Sequence, residues 1–419
     1  MIRVSGPRSK DAVRTLCGVL PADRVMHLAA IRDREGELLD RGLVVVFSAP
    51  ASFTGEDCCE LHIHGGRASV AAVMQALGEL PDLRQAEAGE FTKRAFVNGK
   101  MDLTGAEALG DLIAADTEMQ RRFALANAGG RQHTLYRSWR ERLLHGRAMI
   151  EAELDFSDEG DVPGSVADAV WADLSELAKA MRRHLDGVRT GEILREGFRV
   201  VILGAPNAGK SSLINCLAQR DVAIVSDEPG TTRDLVEVVL DLDGVRVVVT
   251  DTAGLREDAG KVESIGIARA LAKSEDSDLV VVLEDLNNPV AVRVPAGPAV
   301  VRVGSKADLA TSSGSRNPYD VMVSAVTGEG VGSLVSVLRD AALKEIGGWS
   351  TSVIPSHLRQ VELLRSASGH LELALGAAQA LELRAEALRL AADEIGRIVG
   401  AIGTEDVLGA IFSRFCIGK

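Results

Sequence analysis

The 419-residue sequence predicts an α/β and α protein in three parts. These are a mixed α/β N-terminal domain, a helical domain made from two separated tracts, and a doubly wound P-loop domain inserted between the tracts. Three observations predict it. Between Phe198 and Leu338 short β-branched runs alternate with helical stretches, the pattern of a parallel sheet flanked by helices. On both sides the text turns alanine- and leucine-rich, with apolar residues at helical spacing. Directly after the first β-branched run stands Gly204-Ala205-Pro206-Asn207-Ala208-Gly209-Lys210-Ser211, which fits G-x-x-x-x-G-K-[ST].

Taken in order, residues 1–100 predict strands at Arg41 to Phe47 and Glu60 to His64, a turn at Asp33-Arg34-Glu35-Gly36, and a helix after Gly66. In residues 101–196 the stretch from Asp102 to Asp186 reads as two long helices, divided by the acidic break Asp155-Phe156-Ser157-Asp158-Glu159-Gly160-Asp161-Val162-Pro163. Proline, glycine and like charges there cannot continue a helix. Residues 197–350 carry strand-like runs at Val200 to Leu203, Val245 to Thr250, Leu279 to Leu283, Ala299 to Val303 and Val321 to Val323. Residues 351–419 return to helical spacing, with Leu358, Val361 and Leu364, then Leu381, Leu388, Ala391, Ile395 and Ile398. A last helix places Leu408, Ile411, Phe412 and Phe415 on one side.

Composition narrows the functions. With 46 % hydrophobic residues the chain can bury several cores, which excludes disorder, and its formal charge of −13 excludes a protein that coats nucleic acid by bulk phosphate neutralisation. Residues 1–100 are neutral, whereas residues 101–196 and 197–350 each carry −6. Cys17, Cys58, Cys59, Cys216 and Cys416 form an odd set without zinc-like spacing, which fits a reducing compartment. The first residues show no basic stretch followed by an apolar one, and no apolar run approaches the roughly 18 residues of a membrane span. These features predict a cytoplasmic protein with no membrane partner.

The motifs point to a nucleotide. In the loop, glycines let backbone N–H groups turn towards phosphate oxygens, Lys210 brings a positive charge to the outer phosphates, and the Ser211 hydroxyl can ligate Mg²⁺. Asp251-Thr252-Ala253-Gly254 follows a strand, where Asp251 can hold the Mg²⁺ shell and Gly254 lets the backbone approach a γ-phosphate. Between them lies Pro229-Gly230-Thr231-Thr232-Arg233-Asp234, where a threonine can complete the Mg²⁺ shell only when triphosphate is bound. At the strand end Ser305-Lys306-Ala307-Asp308 the aspartate can accept two hydrogen bonds from a guanine edge, which selects GTP over ATP, and Ser324-Ala325 follows another strand. Ser305 stands where such motifs begin with asparagine, which predicts weaker guanine affinity. Leu255 occupies the place of a water-orienting glutamine, which leaves Glu263 in Lys261-Val262-Glu263-Ser264-Ile265-Gly266 as the candidate carboxylate, either a solvated acid at a helix start or a group that orients water.

Together these residues resemble the MnmE (TrmE) family of tRNA-modification GTPases, of the TrmE-Era-like class, over almost the whole chain. The most specific elements are Ser52-Phe53-Thr54-Gly55-Glu56-Asp57, His64-Gly65-Gly66, Gly89-Glu90-Phe91-Thr92-Lys93-Arg94-Ala95-Phe96, the phosphate loop with Asn207, Gly230 to Asp234, Asp251 to Arg256, and the tail Phe415-Cys416-Ile417-Gly418-Lys419. The resemblance implies a folate-binding, dimerising domain over 1–100, a helical domain from 101–196 and 351–419, and a GTP-binding domain over 197–350. It implies a K⁺-activated GTPase that works with the flavoprotein MnmG as a heterotetramer. A tetrahydrofolate of the 5-formyl kind supplies one carbon to C5 of the wobble uridine of certain tRNAs.

By the same resemblance GTP contacts fall on Asn207, Ala208, Gly209, Lys210, Ser211, Ser212, Ser226, Asp227, Glu228, Pro229, Gly230, Thr231, Thr232, on Asp251 to Gly254, and on Ser305, Lys306, Ala307, Asp308, Ser324 and Ala325. Mg²⁺ is assigned to Ser211 and Thr232, and K⁺ to Asn207, Ser226, Glu228 and Thr231. The catalytic set is Glu263 as the water-orienting acid, Asn207 and Thr232. Arg3, Glu60, Lys100 and Lys419 match the folate positions, where cations suit a glutamate tail and formyl oxygen and a carboxylate suits the pterin edge. Cys416 is a candidate reactive thiol, with packing behind an apolar stripe as the alternative.

His64 reads as a turn residue. Arg121 to Arg147 holds seven arginines against the single acid Glu141, either a solvated face or a surface for tRNA or MnmG. Family chains normally begin with a further strand and glycine-rich loop before the position of Arg3, which predicts a start assigned too late. Two other readings stand beside the main one: a ribosome-assembly GTPase without modification chemistry, and a folate-binding scaffold with a degenerate G domain.

Overall fold

The computed structural model describes residues 1–155, 164–224, 237–251, 276–294, 296–310, 318–350, 352–376 and 380–401. They divide into two compact units. One comprises Met1–Gly110, Asn127–Leu177 and the chain from Ser366; the other comprises Asp111–Ala126 and Ala178–Arg365.

The first unit holds an antiparallel sheet of four strands, β1 (Ile2–Ser5), β2 (His27–Arg32), β3 (Leu38–Phe47) and β4 (Cys58–His62), in the order β1-β4-β3-β2. The β2–β3 turn falls where the sequence places it: Gly36 takes φ +89°, and Asp33 Oδ1 accepts the N–H groups of Glu35 and Glu37. One face packs Ile31, Val44, Val46, Cys59 and Leu61 against Val13 and Leu16 of α1 (Ser9–Cys17) and Val73 and Leu77 of α2 (Arg67–Gly78). Alternation along β3 and β4 sends Glu60 and His62 to the opposite face. Then come α3 (Glu90–Val97) and α4 (Leu103–Ile113), with Asp102 Oδ1 accepting Gly105 N–H at 2.8 Å as the α4 cap. The 25-residue α6 (Arg131–Asp155) packs on α12 (Leu381–Val399).

Among the described residues the two long helices predicted on either side of the acidic break are present as α6 and α7 (Gly164–Asp186), and the tract 101–196 adds three short ones, α4, α5 (Glu118–Ala128) and α8 (Val188–Glu196). Local chemistry causes the extra breaks. Gln120 Oε1 accepts the N–H groups of Asp116 and Thr117 ahead of α5, and Gly130 takes φ +72° between α5 and α6. The acidic break after Asp155 lies outside the described residues.

The second unit is built on seven strands in the order β11-β10-β9-β5-β8-β7-β6. They are β5 (Phe198–Leu203), β6 (Ala223–Ile224), β7 (Glu237–Leu242), β8 (Val245–Asp251), β9 (Leu279–Asp285), β10 (Ala299–Ser305) and β11 (Val321–Met322). Strands β8, β5, β9, β10 and β11 run parallel, and β7 and β6 turn antiparallel at one side. Central β5 is apolar on both faces, as a parallel strand covered on both sides must be. Phe198, Val200 and Ile202 join the main core with Leu213 and Leu217 of α9 (Lys210–Ala218) and Leu334 and Leu338 of α10 (Val331–Ile346). Val201 and Leu203 meet Val280 and Val282 on the other face. Phe123 of α5 is buried in the main core and stacks edge-on with Trp349 at 5.5 Å. After Pro355 the chain continues into α11 (Leu358–Leu375).

Candidate functional site

The nucleotide motifs meet at the carboxyl ends of the parallel strands, where open α/β sheets place ligands. The phosphate loop leaves β5 pressed against β9, since a Cβ on Gly204 would lie 2.5 Å from the Leu283 carbonyl oxygen. Asn207 (φ +65°) and Gly209 (φ +94°) take the left-handed conformation, and α9 begins at Lys210. Asparagine tolerates that conformation better than most side chains. Lys210, only 8 % exposed, donates through Nζ to the carbonyls of Gly204 (2.8 Å) and Ala205 (3.0 Å). Ala208 is buried, while Asn207, Ser211 and Ser212 are exposed at the loop mouth.

Asp251 ends β8, buried, and its Oδ2 accepts the Ser211 hydroxyl at 2.8 Å. A hydroxyl and a carboxylate held together beside a phosphate-binding loop are the hard oxygen donors that Mg²⁺ takes, so the residues fit that ion. Of the other assigned residues, Ser226, Asp227, Glu228, Pro229, Gly230, Thr231, Thr232, Thr252, Ala253, Gly254 and Glu263 lie outside the described residues.

On the base side, Ser305 ends β10 and is buried; its hydroxyl donates to Ala208 O at 2.7 Å and lies 3.2 Å from Glu284 O. Lys306 follows at φ +59°, with Nζ 2.6 Å from Asp285 Oδ2. That hydrogen bond, with a second from Asn287 N–H, holds the Asp285 carboxyl below its ordinary range. Ala307 N–H donates to Val323 O, and Asp308 is exposed on the short 3-10 turn Ala307–Leu309. The Ser324 hydroxyl oxygen accepts from Val326 and Thr327 N–H, which shapes the loop carrying Ala325. Sequence reasoning missed Asp285, although a carboxylate closing the apolar run Leu279 to Leu283 was a readable signal.

In the first unit Arg3 and Glu60 are register partners on β1 and β4. Arg3 Nε and Nη2 donate to Glu60 Oε1 at 2.9 and 2.7 Å, and His62 Nε2 lies 3.3 Å from Glu60 Oε2. The Arg3 guanidinium stands 5.2 Å from the Phe53 ring centre and 5.7 Å from that of Phe91. Lys100 Nζ donates to Pro50 O at 2.9 Å, so the loop from Pro50 to Gly55 touches Arg3 and Lys100. Lys419 and Cys416 lie outside the described residues.

Below this group runs a network that sequence reasoning left out. Arg94 donates to Glu56 and Glu90, Ser5 donates to Glu56, and Arg84 donates to Glu90. Burial pushes the Glu90 carboxyl up, but the Arg84, Glu87 N–H and Arg94 hydrogen bonds outweigh it and hold the group at about 2. His64 is exposed and oriented by Asp40 through both its ring and its backbone N–H, as a turn residue would be. The arginine-rich stretch is largely paired: Arg121 and Arg122 with Glu118, Arg137 with Glu141, Arg142 with Asp173 and Arg147 with Glu151. Among the described residues no helix is long and apolar enough to cross a membrane.

Comparison with known proteins agrees with the geometry. Residues 1–100 match the family described as GTP-binding protein TrmE N-terminus, and residues 103–416 match that described as MnmE helical domain. The tRNA modification GTPase MnmE of Chelativorans sp. (strain BNC1) is 53 % identical over 420 residues, covering 100 % of this chain and 95 % of the relative. That of Mesorhizobium japonicum is 54 % identical over 424 residues, covering 100 % and 96 %. Among solved structures, Aquifex aeolicus Era bound to GDP.AlF4- gives a TM-score of 0.27 at 22 % identity, covering 42 % of this chain and 67 % of that one. With its phosphate loop, strand-end carboxylate and full-length relatives, the chain belongs to the MnmE family of tRNA modification GTPases.

Proposed function

We propose that the chain is a K⁺-activated GTPase that acts with the flavoprotein MnmG to place an aminomethyl-type group at C5 of the wobble uridine of certain tRNAs. A 5-formyltetrahydrofolate-like folate is its one-carbon source. The observation that carries the GTPase reading is the Ser211–Asp251 pair at 2.8 Å beside the phosphate loop. The full-length match to tRNA modification GTPases favours this reading over an assembly switch. Segments 1–100, 101–196, 197–350 and 351–419 serve as folate and dimerisation domain, first helical tract, GTP-binding domain and second helical tract. The protein works in the cytoplasm as a homodimer.

Asn207, exposed on its left-handed turn, would hold K⁺ together with Ser226, Glu228 and Thr231. That cation supplies positive charge at the phosphates, the place an arginine finger takes elsewhere. Thr232 joins Ser211 at Mg²⁺, and Glu263 orients the attacking water. Arg3, Glu60 and Lys100 form a folate site with Lys419, supported by the aromatic faces of Phe53 and Phe91 around a guanidinium already fixed by its carboxylate.

The test is GTP hydrolysis in matched KCl and NaCl. The rate in K⁺ should exceed that in Na⁺ by about tenfold or more, the scale of one electrostatic contact in the transition state. Asn207→Ala should erase the difference. Equal rates for the unaltered protein would sink the cation assignment, and unchanged wobble nucleosides in a deletion strain would sink the tRNA role.

A further inference from the structure

In the first unit two groups of side chains are drawn from the same three pieces of chain. One group is a guanidinium between rings: Arg3 of β1 stands 5.2 Å from the ring centre of Phe53, in the loop between β3 and β4, and 5.7 Å from that of Phe91 on α3. The other group is polar. Ser5 of β1 donates to Glu56 Oε2 at 2.9 Å, Arg94 Nη1 on α3 donates to both Glu56 oxygens at 3.1 Å, and Arg94 Nε and Nη2 donate to Glu90 Oε1 at 3.1 and 2.9 Å. Each piece thus gives one residue to the ring group and another, two or three positions on, to the polar group. Asn98 Nδ2 adds a neutral tie to Thr54 O at 2.8 Å, but the charged fork is the stronger link between loop and helix. With its edges committed to Glu56 and Glu90, the Arg94 guanidinium holds protein rather than ligand. A cation between aromatic faces, with Lys100 on the same loop, fits a flat conjugated anion.

We infer that Arg94 is a positioning residue: by joining the Phe53 loop to the Phe91 helix through Glu56 and Glu90, it sets the ring spacing around Arg3 and so the affinity of that site for the folate. This rests on the folate reading of the site. Without the fork the Glu56 carboxylate loses its cation and the loop is free to leave α3, whereas Arg3 keeps Glu60. A lysine in its place is a point charge and cannot bond two carboxylates at fixed angles.

Two measurements on the full chain test this, calorimetric titration with 5-formyltetrahydrofolate and hydrogen exchange of the ligand-free protein. Arg94→Ala should weaken the folate by about tenfold, the scale of one charged hydrogen bond. Arg94→Lys should lose nearly as much, and it replaces the alanine variant if that one fails to fold. Arg84→Ala, which removes a partner of Glu90 alone, should stay within about twofold. In an Arg3→Ala background the Arg94 substitution should cost less than about threefold more, because the site it sets has gone. Without ligand, the amides of residues 51–57 should exchange about tenfold faster in Arg94→Ala, with residues 43–47 of β3 unchanged. Unchanged folate affinity overturns the positioning role, and so does full recovery in Arg94→Lys, since charge alone then suffices. Additive losses for Arg3 and Arg94 overturn it too, because Arg94 then acts independently of the Arg3 site. Unchanged exchange over 51–57 overturns the bridge whatever the ligand. If the unaltered protein binds no folate while exchange over 51–57 still quickens in Arg94→Ala, the folate reading has failed and the bridge has not.

Discussion

The Ser211 hydroxyl has a single proton, and Asp251 accepts it at 2.8 Å. Ser211→Ala removes one hard oxygen donor and leaves the buried carboxylate without that partner. GDP affinity of this variant should become insensitive to exchanging Mg²⁺ for EDTA, whereas the unaltered protein should lose about tenfold or more; a variant that retains the full Mg²⁺ effect would remove Ser211 from the metal site. The phosphate loop was legible because its chemistry is local, eight consecutive residues whose glycines and lysine serve one ligand. Ser305 was legible only as a departure, since its partner Ala208 is 97 positions away and only the parallel order of β5, β9 and β10 brings the two together. The Glu56–Arg94 pair, 38 positions apart, was invisible for the same reason, unlike Glu90 and Arg94 one helical turn apart. Charge pairs across a fold leave no spacing rule in the chain.

Helix α7 carries a second kind of consequence. His184 is buried on it, and burial pushes its imidazole down from 6.5 to about 4. The folded state therefore resists a proton that the unfolded chain accepts, so unfolded chains bind more protons through that window. The His184 contribution to stability is complete above pH 6.5 and is lost as the pH falls towards about 4. The slope reaches about 1.4 kcal/mol per pH unit at most. Urea unfolding at several pH values should show this fall, and His184→Gln should flatten it; an unaltered slope would place the titrating group elsewhere. At this scale the five parallel strands were readable as β-branched runs. The helical tract was read too coarsely, because the Gln120 cap and Gly130 turn look like ordinary helix text until the chain reverses. Strand β1 was missed because four residues at a sheet edge carry little pattern.

Each of the two units has its own core, so a ligand of the phosphate loop acts first on the unit that holds the seven-stranded sheet. A nucleotide at one hundred times its dissociation constant stabilises its binding unit by about 2.7 kcal/mol. Hydrogen exchange with and without GDP–Mg²⁺ should show slower exchange in β5, β8, β9 and β10, with the amides of β2, β3 and β4 unchanged. Equal slowing in the four-stranded sheet would show that the units respond as one. The charge of −13 fits the paired state of the arginine-rich stretch, whose guanidinium groups are mostly balanced by carboxylates on the same or a neighbouring helix. The sequence revealed the local excess of arginine but not Asp173, which comes from α7.

At one side the large sheet ends in β11, a strand of only two residues. Such a stub gives an extended segment of another chain almost no backbone to pair with. The small sheet differs: β2 offers six residues at its edge, beside the exposed side chains of Val25, Met26 and Leu28. In a crowded cell or a concentrated preparation, the backbone best suited to recruit a stray strand is therefore His27–Arg32, and a charge placed at Leu28 is the substitution that would keep the chain dispersed.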